Sequence, residues 1–372
     1  MGTSNTYRWG ARTDPVDALW PLVPALLDDE VISSWLVRCA LAQGCEPTTL
    51  TADVWPDYRV WCHDSDRKFS EQQLITLSQR SGISVDALVA STLMPLQQMM
   101  TGATCFPQGV AAWFLCLGTR NRRRCGGLQY CPHCFAQQTP HYLIQNRFAW
   151  HTACPIHQVG LLDHCEQCHA PLCPHLITPP KLDLGRCHRC GYELKLAAPG
   201  AVEEGALRFQ IATDDLFDGG HRRYGRCRLA LAEWLALAKW MLGVLRAARR
   251  ANSACTQDFF NELGVSLEGL SRPTTGLAFE YLSPVERGKL LSDVWSMIEI
   301  GPRRLIAVAK REHVRPSLLI PRKAPLPDSL SELSLVLNEC RYKQCTKNHI
   351  DKPRSPDSVL MRWQRLLRKF ER

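Results

Sequence analysis

Eight residues between positions 131 and 190 have the types and spacing that bind metal. They read Cys131-x2-Cys134, nineteen residues, Cys154-x2-His157, seven residues, Cys165-x2-Cys168, eighteen residues, Cys187-x2-Cys190. A two-residue spacer lets one tight turn aim two donors at a single point, and a second such knuckle completes a tetrahedron around zinc. With 18 cysteines in 372 residues, chance alone supplies about one Cys-x2-Cys pair. Three pairs and a Cys-x2-His within sixty residues are a pattern of a different order. The expected chemistry is two structural zinc ions per chain. Cys131, Cys134, Cys154 and His157 form the first site, and Cys165, Cys168, Cys187 and Cys190 the second.

Two other readings compete with this one. The cysteines could be simply buried or disulfide-bonded, or one site could be catalytic. A catalytic zinc keeps an open position beside an acid or base, whereas both shells here are filled by four protein donors. No His-Glu-x-x-His or His-x-Glu…Cys-x-x-Cys signature occurs, so no catalytic residue is assigned. His133, His141, His151, His164, His169, Cys173 and His188 are spare donors; His151 in place of His157 breaks the two-residue spacing.

The rest of the chain must hold this module. At 372 residues it suits two or three small domains. A net charge of +9 permits a nucleic-acid partner. Met1 to Pro15 contains no apolar signal core, and the myristoylation match Met1-Gly2-x-x-x-Thr6 is too short to weigh. Many cysteines without an export signal point to thiolates in a reducing cytoplasm. Leu229 to Leu245 approaches spanning length, but Glu233 and Lys239 interrupt it, so a buried helix is expected and no membrane partner.

The apolar spacing of Val31, Trp35, Leu36, Cys39 and Ala40 predicts a helix stopped at Gly44. The aromatics of Trp55 to Asp66 read as core. Ser70 to Leu93 reads as a helix-turn-helix, with a Ser70/Gln73 capping box, Gly82 in the turn and Ser84 opening the second helix. The second helix places Leu88, Val89 and Leu93 inward and Asp86, Ser91 and Thr92 outward, without an Arg or Lys for the major groove. Its apolar content suggests spare surface for a protein partner, a second copy included. Arg120, Arg122, Arg123 and Arg124 precede the zinc module, and a second basic run, with Arg222 and Arg223, follows it. These six arginines are the candidate nucleic-acid contacts. Tyr142, Arg147, Phe148 and Trp150 read as the small core of the zinc module.

Beyond an acidic stretch with Glu203, Glu204, Asp214 and Asp215, the pattern is helical throughout. It predicts a long helix from Leu229 to Ala251 and one opened by Ser283-Pro284-x-Glu286 through Ile298. A weak second helix-turn-helix follows over Leu305 to Ile320, cramped by Pro316 and Pro321. After a loop at Pro325 and Pro327, Ser355-Pro356 caps a last amphipathic helix bearing Leu360, Trp363 and Phe370. The fold class is therefore mainly α with small zinc-stabilised modules. Its expected divisions are a flexible 1–19, a helix-turn-helix domain 20–125, a double zinc module 126–200 and a helical C-terminal domain 201–372.

Several of these segments together resemble the TniQ/TnsD family of bacterial transposition proteins. They are Leu22-Val-Pro, Ser33-Ser34-Trp35-Leu36, Gly82-Ile83-Ser84 and Leu128-Gln-Tyr-Cys-Pro-His-Cys-Phe. Arg147-Phe-x-Trp150, Cys154-Pro-x-His157 and Leu161-Leu-Asp-x-Cys165-x-x-Cys168-x-Ala-Pro-Leu172 complete the set. The resemblance covers residues 20 to 200 well, is nearer the compact TniQ type, and carries over the eight zinc ligands. It implies an N-terminal helix-turn-helix domain, a double zinc module, a helical C-terminal domain and the role of a target-selection adaptor; with the readings above, the expectation is a non-enzymatic, cytoplasmic and nucleoid-associated homodimer. Such an adaptor links a guide-RNA surveillance complex of a CRISPR-associated transposon, or DNA itself, to an AAA+ regulator that recruits the transposase. The alternative is an autonomous site-specific DNA-binding protein; a zinc hydrolase is the least supported reading.

Overall fold

The computed structural model describes residues 19–67, 69–117, 127–178, 183–251, 254–267 and 277–312, then 314, 316–320, 326–331, 333, 335, 360 and 363. It is helix-rich, with two small antiparallel hairpins among the described residues. The first four helices, α1 (Ile32–Ala42), α2 (Pro47–Val54), α3 (Glu71–Ser81) and α4 (Val85–Ala90), share one core. Trp20, Trp35, Leu36, Trp55, Leu77 and Leu88 fill it. α1 is buried almost all round, and Gly44 takes the left-handed conformation (φ 69°) after its end.

The helix-turn-helix is present as expected. Ser70 Oγ accepts from the Gln73 amide at 3.3 Å, and the Gln73 side chain accepts from the Ser70 amide at 2.8 Å. Gly82 (φ 73°) turns the chain, and Ser84 caps α4. The outward face of α4 is smaller than the sequence suggests. Ser91 and Thr92 are buried, because their hydroxyls donate back to the Leu88 and Val89 carbonyls. Leu88 is fully buried in this core, with Val85 and Val89 packed against it, while Leu93 is fully buried in a second core. Much of the apolar content of α4 is thus taken up within the chain, with Val85 and Val89 partly buried. The aromatics of the following loop are core: Trp55 is buried, and Trp61 stacks on His175 at 5.1 Å.

After α5 (Met94–Thr101), the chain enters a second and larger core with Phe106, Trp113 and Phe114. This core belongs mostly to the C-terminal helices α7 (Glu204–Asp214), α8 (Leu231–Ala251), α9 (Ala254–Glu262) and α10 (Pro284–Arg311), with the single turn α11 (Pro316–Leu319) at its edge. The acidic stretch is thus a helix, α7, whose Ala206, Phe209 and Ala212 are buried. The basic run after it is a hairpin rather than helix, β3 (Arg222–Tyr224) against β4 (Cys227–Leu229), and α8 accordingly starts two residues later than expected. α10 begins at the Ser283/Glu286 capping box, runs past Ile298, breaks at Gly301 (φ 75°) before Pro302, and resumes to Arg311. No helix among the described residues is long and apolar enough to cross a membrane. The expected last helix lies outside the described residues except for Leu360 and Trp363, both exposed.

Candidate metal centres

Between the two cores lies α6 (Pro132–Gln137) with the hairpin β1 (Ala153–Cys154) and β2 (Val159–Gly160). Here the eight donors converge in two groups of four, Cys131, Cys134, Cys154 and His157, and Cys165, Cys168, Cys187 and Cys190, with donor atoms of each group within 4.8 Å of one another. The seven cysteines among them are outside any disulfide.

Local chemistry builds each knuckle. Cys131 precedes α6, whose first residue is Pro132, and Cys134 lies one turn on. The other three knuckles share one backbone form. The amides of Gln158, His169 and Gly191 each donate at 2.9 Å to the carbonyl four residues back, of Cys154, Cys165 and Cys187. Each of those donors has positive φ, 51°, 54° and 77° in turn. A chain turned that sharply brings its two side-chain donors to one side. In the last two knuckles the first cysteine's own amide also donates at 2.9 Å, to Ala170 and Tyr192 carbonyls respectively.

The donor spacings fit a tetrahedral ion. Bonds of about 2.3 Å to sulfur and about 2.0 Å to nitrogen give tetrahedral edges of about 3.8 Å (S···S) and about 3.5 Å (S···N). In the first group Cys134 and Cys154 sulfurs are 3.7 Å apart, and His157 Nδ1 lies 3.6, 3.4 and 3.5 Å from Cys131, Cys134 and Cys154 sulfurs. In the second, Cys165···Cys190 is 3.7 Å and Cys168···Cys187 3.6 Å. His157 Nε2 sits 2.9 Å from Gln137 Oε1. That acceptor holds a proton on Nε2 and leaves the Nδ1 lone pair facing the sulfurs, the usual outer support of a metal-bound imidazole. The sulfurs also act on one another. Contacts with Cys131 and Cys154 push the Cys134 thiol far up, while Cys131 and Cys134 push Cys154 down. His151 plays no part in this group, since it is buried and its Nε2 lies 3.0 Å from Asp214 Oδ1.

Around the centres, two buried arginines tie the module to its neighbours. Arg147 is fully buried and ion-pairs with Asp66, also fully buried, and with Asp64 at 2.7 Å. Asp66 in turn accepts from the Ser33 amide and hydroxyl at 3.0 and 3.1 Å. Burial pushes the Asp66 carboxyl up to about 6, against the opposing pull of Arg147. Arg147 is therefore no part of a zinc-module core. Phe148 and Trp150, one and three residues on, lie in the larger core, stacked at 4.1 Å, and Trp150 Nε1 donates to Asp214 at 2.9 Å. From the other side, Arg287 of α10 donates to Gln129 Oε1 at 2.7 Å and to the Ala149 and His151 carbonyls.

Of the six candidate nucleic-acid arginines, Arg120, Arg122, Arg123 and Arg124 lie outside the described residues. Arg222 is turned inward, ion-paired to Asp215 and donating to the Ala212 carbonyl at 3.3 Å. Arg223 is exposed.

No curated protein matches the chain. The TniQ family model matches residues 21–161, from the first helices through the whole first four-donor group, while the second group lies beyond it. Residues 21–161 of the chain are accordingly similar to the TniQ family.

Proposed function

We propose that the protein is a non-enzymatic adaptor, joining a target-recognition complex to the AAA+ regulator of transposition, with two zinc ions that serve its fold. The observation that carries this reading is the TniQ match over residues 21–161. The chemistry of the matched helix pair supports it further. Reading bases in the major groove calls for Arg, Lys, Asn or Gln side chains. α4, Val-Asp-Ala-Leu-Val-Ala, has none, and the neighbouring Ser91 and Thr92 face inward. That argues against the alternative of an autonomous site-specific DNA reader. The two donor groups, filled by four protein side chains each, suit structural ions, which add their binding energy to folding.

The test is co-purification of the full chain with an AAA+ transposition regulator, with and without nuclease treatment. A nuclease-resistant complex is expected. A chain that ignores the regulator but protects one particular DNA sequence in footprinting supports the site-specific reader instead.

A further inference from the structure

The hairpin β3–β4 has a charge arrangement that the fold itself does not use. Its register sets Arg222 opposite Leu229, Arg223 opposite Arg228 and Tyr224 opposite Cys227. Side chains alternate across a strand. Arg222, Tyr224 and Leu229 turn toward the body, Tyr224 and Leu229 fully, which leaves Arg223 and Arg228 together on the outer face. Two like charges directly opposite in an antiparallel pair oppose its formation. Arg226, in the turn, and Arg303, just after Pro302, are also exposed. None of these four forms an ion pair among the described residues, although Arg222 beside them does.

The hairpin is fixed in place. Gly225 has φ 62° at the first of the two loop positions, as a type II′ turn requires. A Cβ on Gly225 would lie 2.5 Å from Cγ of Pro302, so the tip rests on α10 where that helix breaks. Arg226 and Arg303 are the next residues in the chain after the two that meet there, Gly225 and Pro302.

We propose that Arg223, Arg226, Arg228 and Arg303 form one surface that binds the phosphate backbone of duplex DNA without regard to sequence. Guanidinium groups are suited to phosphate oxygens, and a bound polyanion relieves the Arg223–Arg228 repulsion. The only aromatic ring on the hairpin, Tyr224, is buried, so no platform is offered for stacking unpaired bases. The surface goes beyond the adaptor reading and stands whether or not the regulator is the partner.

The test uses the full, zinc-loaded chain and a labelled 30-base-pair duplex of arbitrary sequence, followed by fluorescence anisotropy over a salt series. Replacing Arg223, Arg226 and Arg228 together by Gln is expected to weaken binding about tenfold or more and to lower the salt slope by about 2 to 3, near 0.9 per lost phosphate contact. The regulator is absent from this assay, so its outcome is separate from the co-purification result. Should the triple variant fail to fold by circular dichroism, Arg226→Gln and Arg228→Gln are measured singly, each with an expected loss of about two- to fivefold. Unchanged affinity and slope in folded variants overturn the proposal, as does a wild-type chain that leaves duplex DNA unbound. Stronger competition by polyglutamate than by unlabelled duplex at equal charge also overturns it and assigns the surface to an acidic protein.

Discussion

Arg287 Nη2 donates to Gln129 Oε1 at 2.7 Å across 158 residues of sequence, two positions before the first metal-binding cysteine. Gln129 turns its own amide to the Asn146 and His151 carbonyls at 2.7 and 3.1 Å. The guanidinium is buried and rests mainly on carbonyls, so burial pulls its pKa down to about 10. Arg287→Met is expected to cost about 3 kcal/mol or more by urea unfolding, since hydrogen bonds to a charged group are worth about 1.5–3 kcal/mol. A Gln129→Ala/Arg287→Met double-mutant cycle should return a coupling of at least about 1 kcal/mol; additive losses would show that the contact is incidental.

Removing Arg147 leaves Asp66 buried without its counter-charge. Arg147→Met should destabilise the protein by about 3–5 kcal/mol in chemical denaturation. Asp66→Asn added to that background should restore part of the loss, because the stranded carboxylate is then gone.

Each chain should carry two zinc ions by metal analysis. Chelation, or Cys134→Ser or Cys187→Ser, should produce protease-sensitive protein. Gln137→Ala should keep the stoichiometry while weakening zinc about 10- to 100-fold in a competition titration, because His157 loses the acceptor that orients it. One zinc per folded chain would contradict the two-site reading.

His175 lies against Trp61, and burial holds its imidazole neutral down to about 4, with His188 adding to the effect. Between the ordinary value of about 6.5 and about 4, the unfolded chain takes up a proton that the folded one refuses. The stability this histidine contributes is therefore complete above pH 6.5 and lost as pH falls toward 4. The wild type should lose more melting temperature over that interval than His175→Phe. Parallel curves would exclude His175 as the cause.

The metal pattern, the capped starts of α3 and α10, and the burial of α1 were legible because each rests on residues close in sequence. The linkages were not. Nothing local in Arg147-Phe-x-Trp150 says that the arginine will reach Asp64 and Asp66 while the rings join the opposite core. The hairpin was hidden by its arginines, which mask a Tyr-Gly-Arg-Cys turn inside a basic run; the Gly225 turn signal was present. α7 was hidden by its acidic ends, although Ala206, Phe209 and Ala212 keep helical spacing.

The stretch from Arg147 to Trp150 bears on how the protein can be cut for experiment. The segment that matches the family model, 21–161, is not a packing unit: its Trp113, Phe148 and Trp150 are roofed by α7 and by residues near Phe279. A fragment ending at 161 would bare those rings to water and lose Arg287 as well. Similarity and autonomy part company here: expression of that fragment alone calls for a grafted cover, or for α7 and α10 supplied in trans.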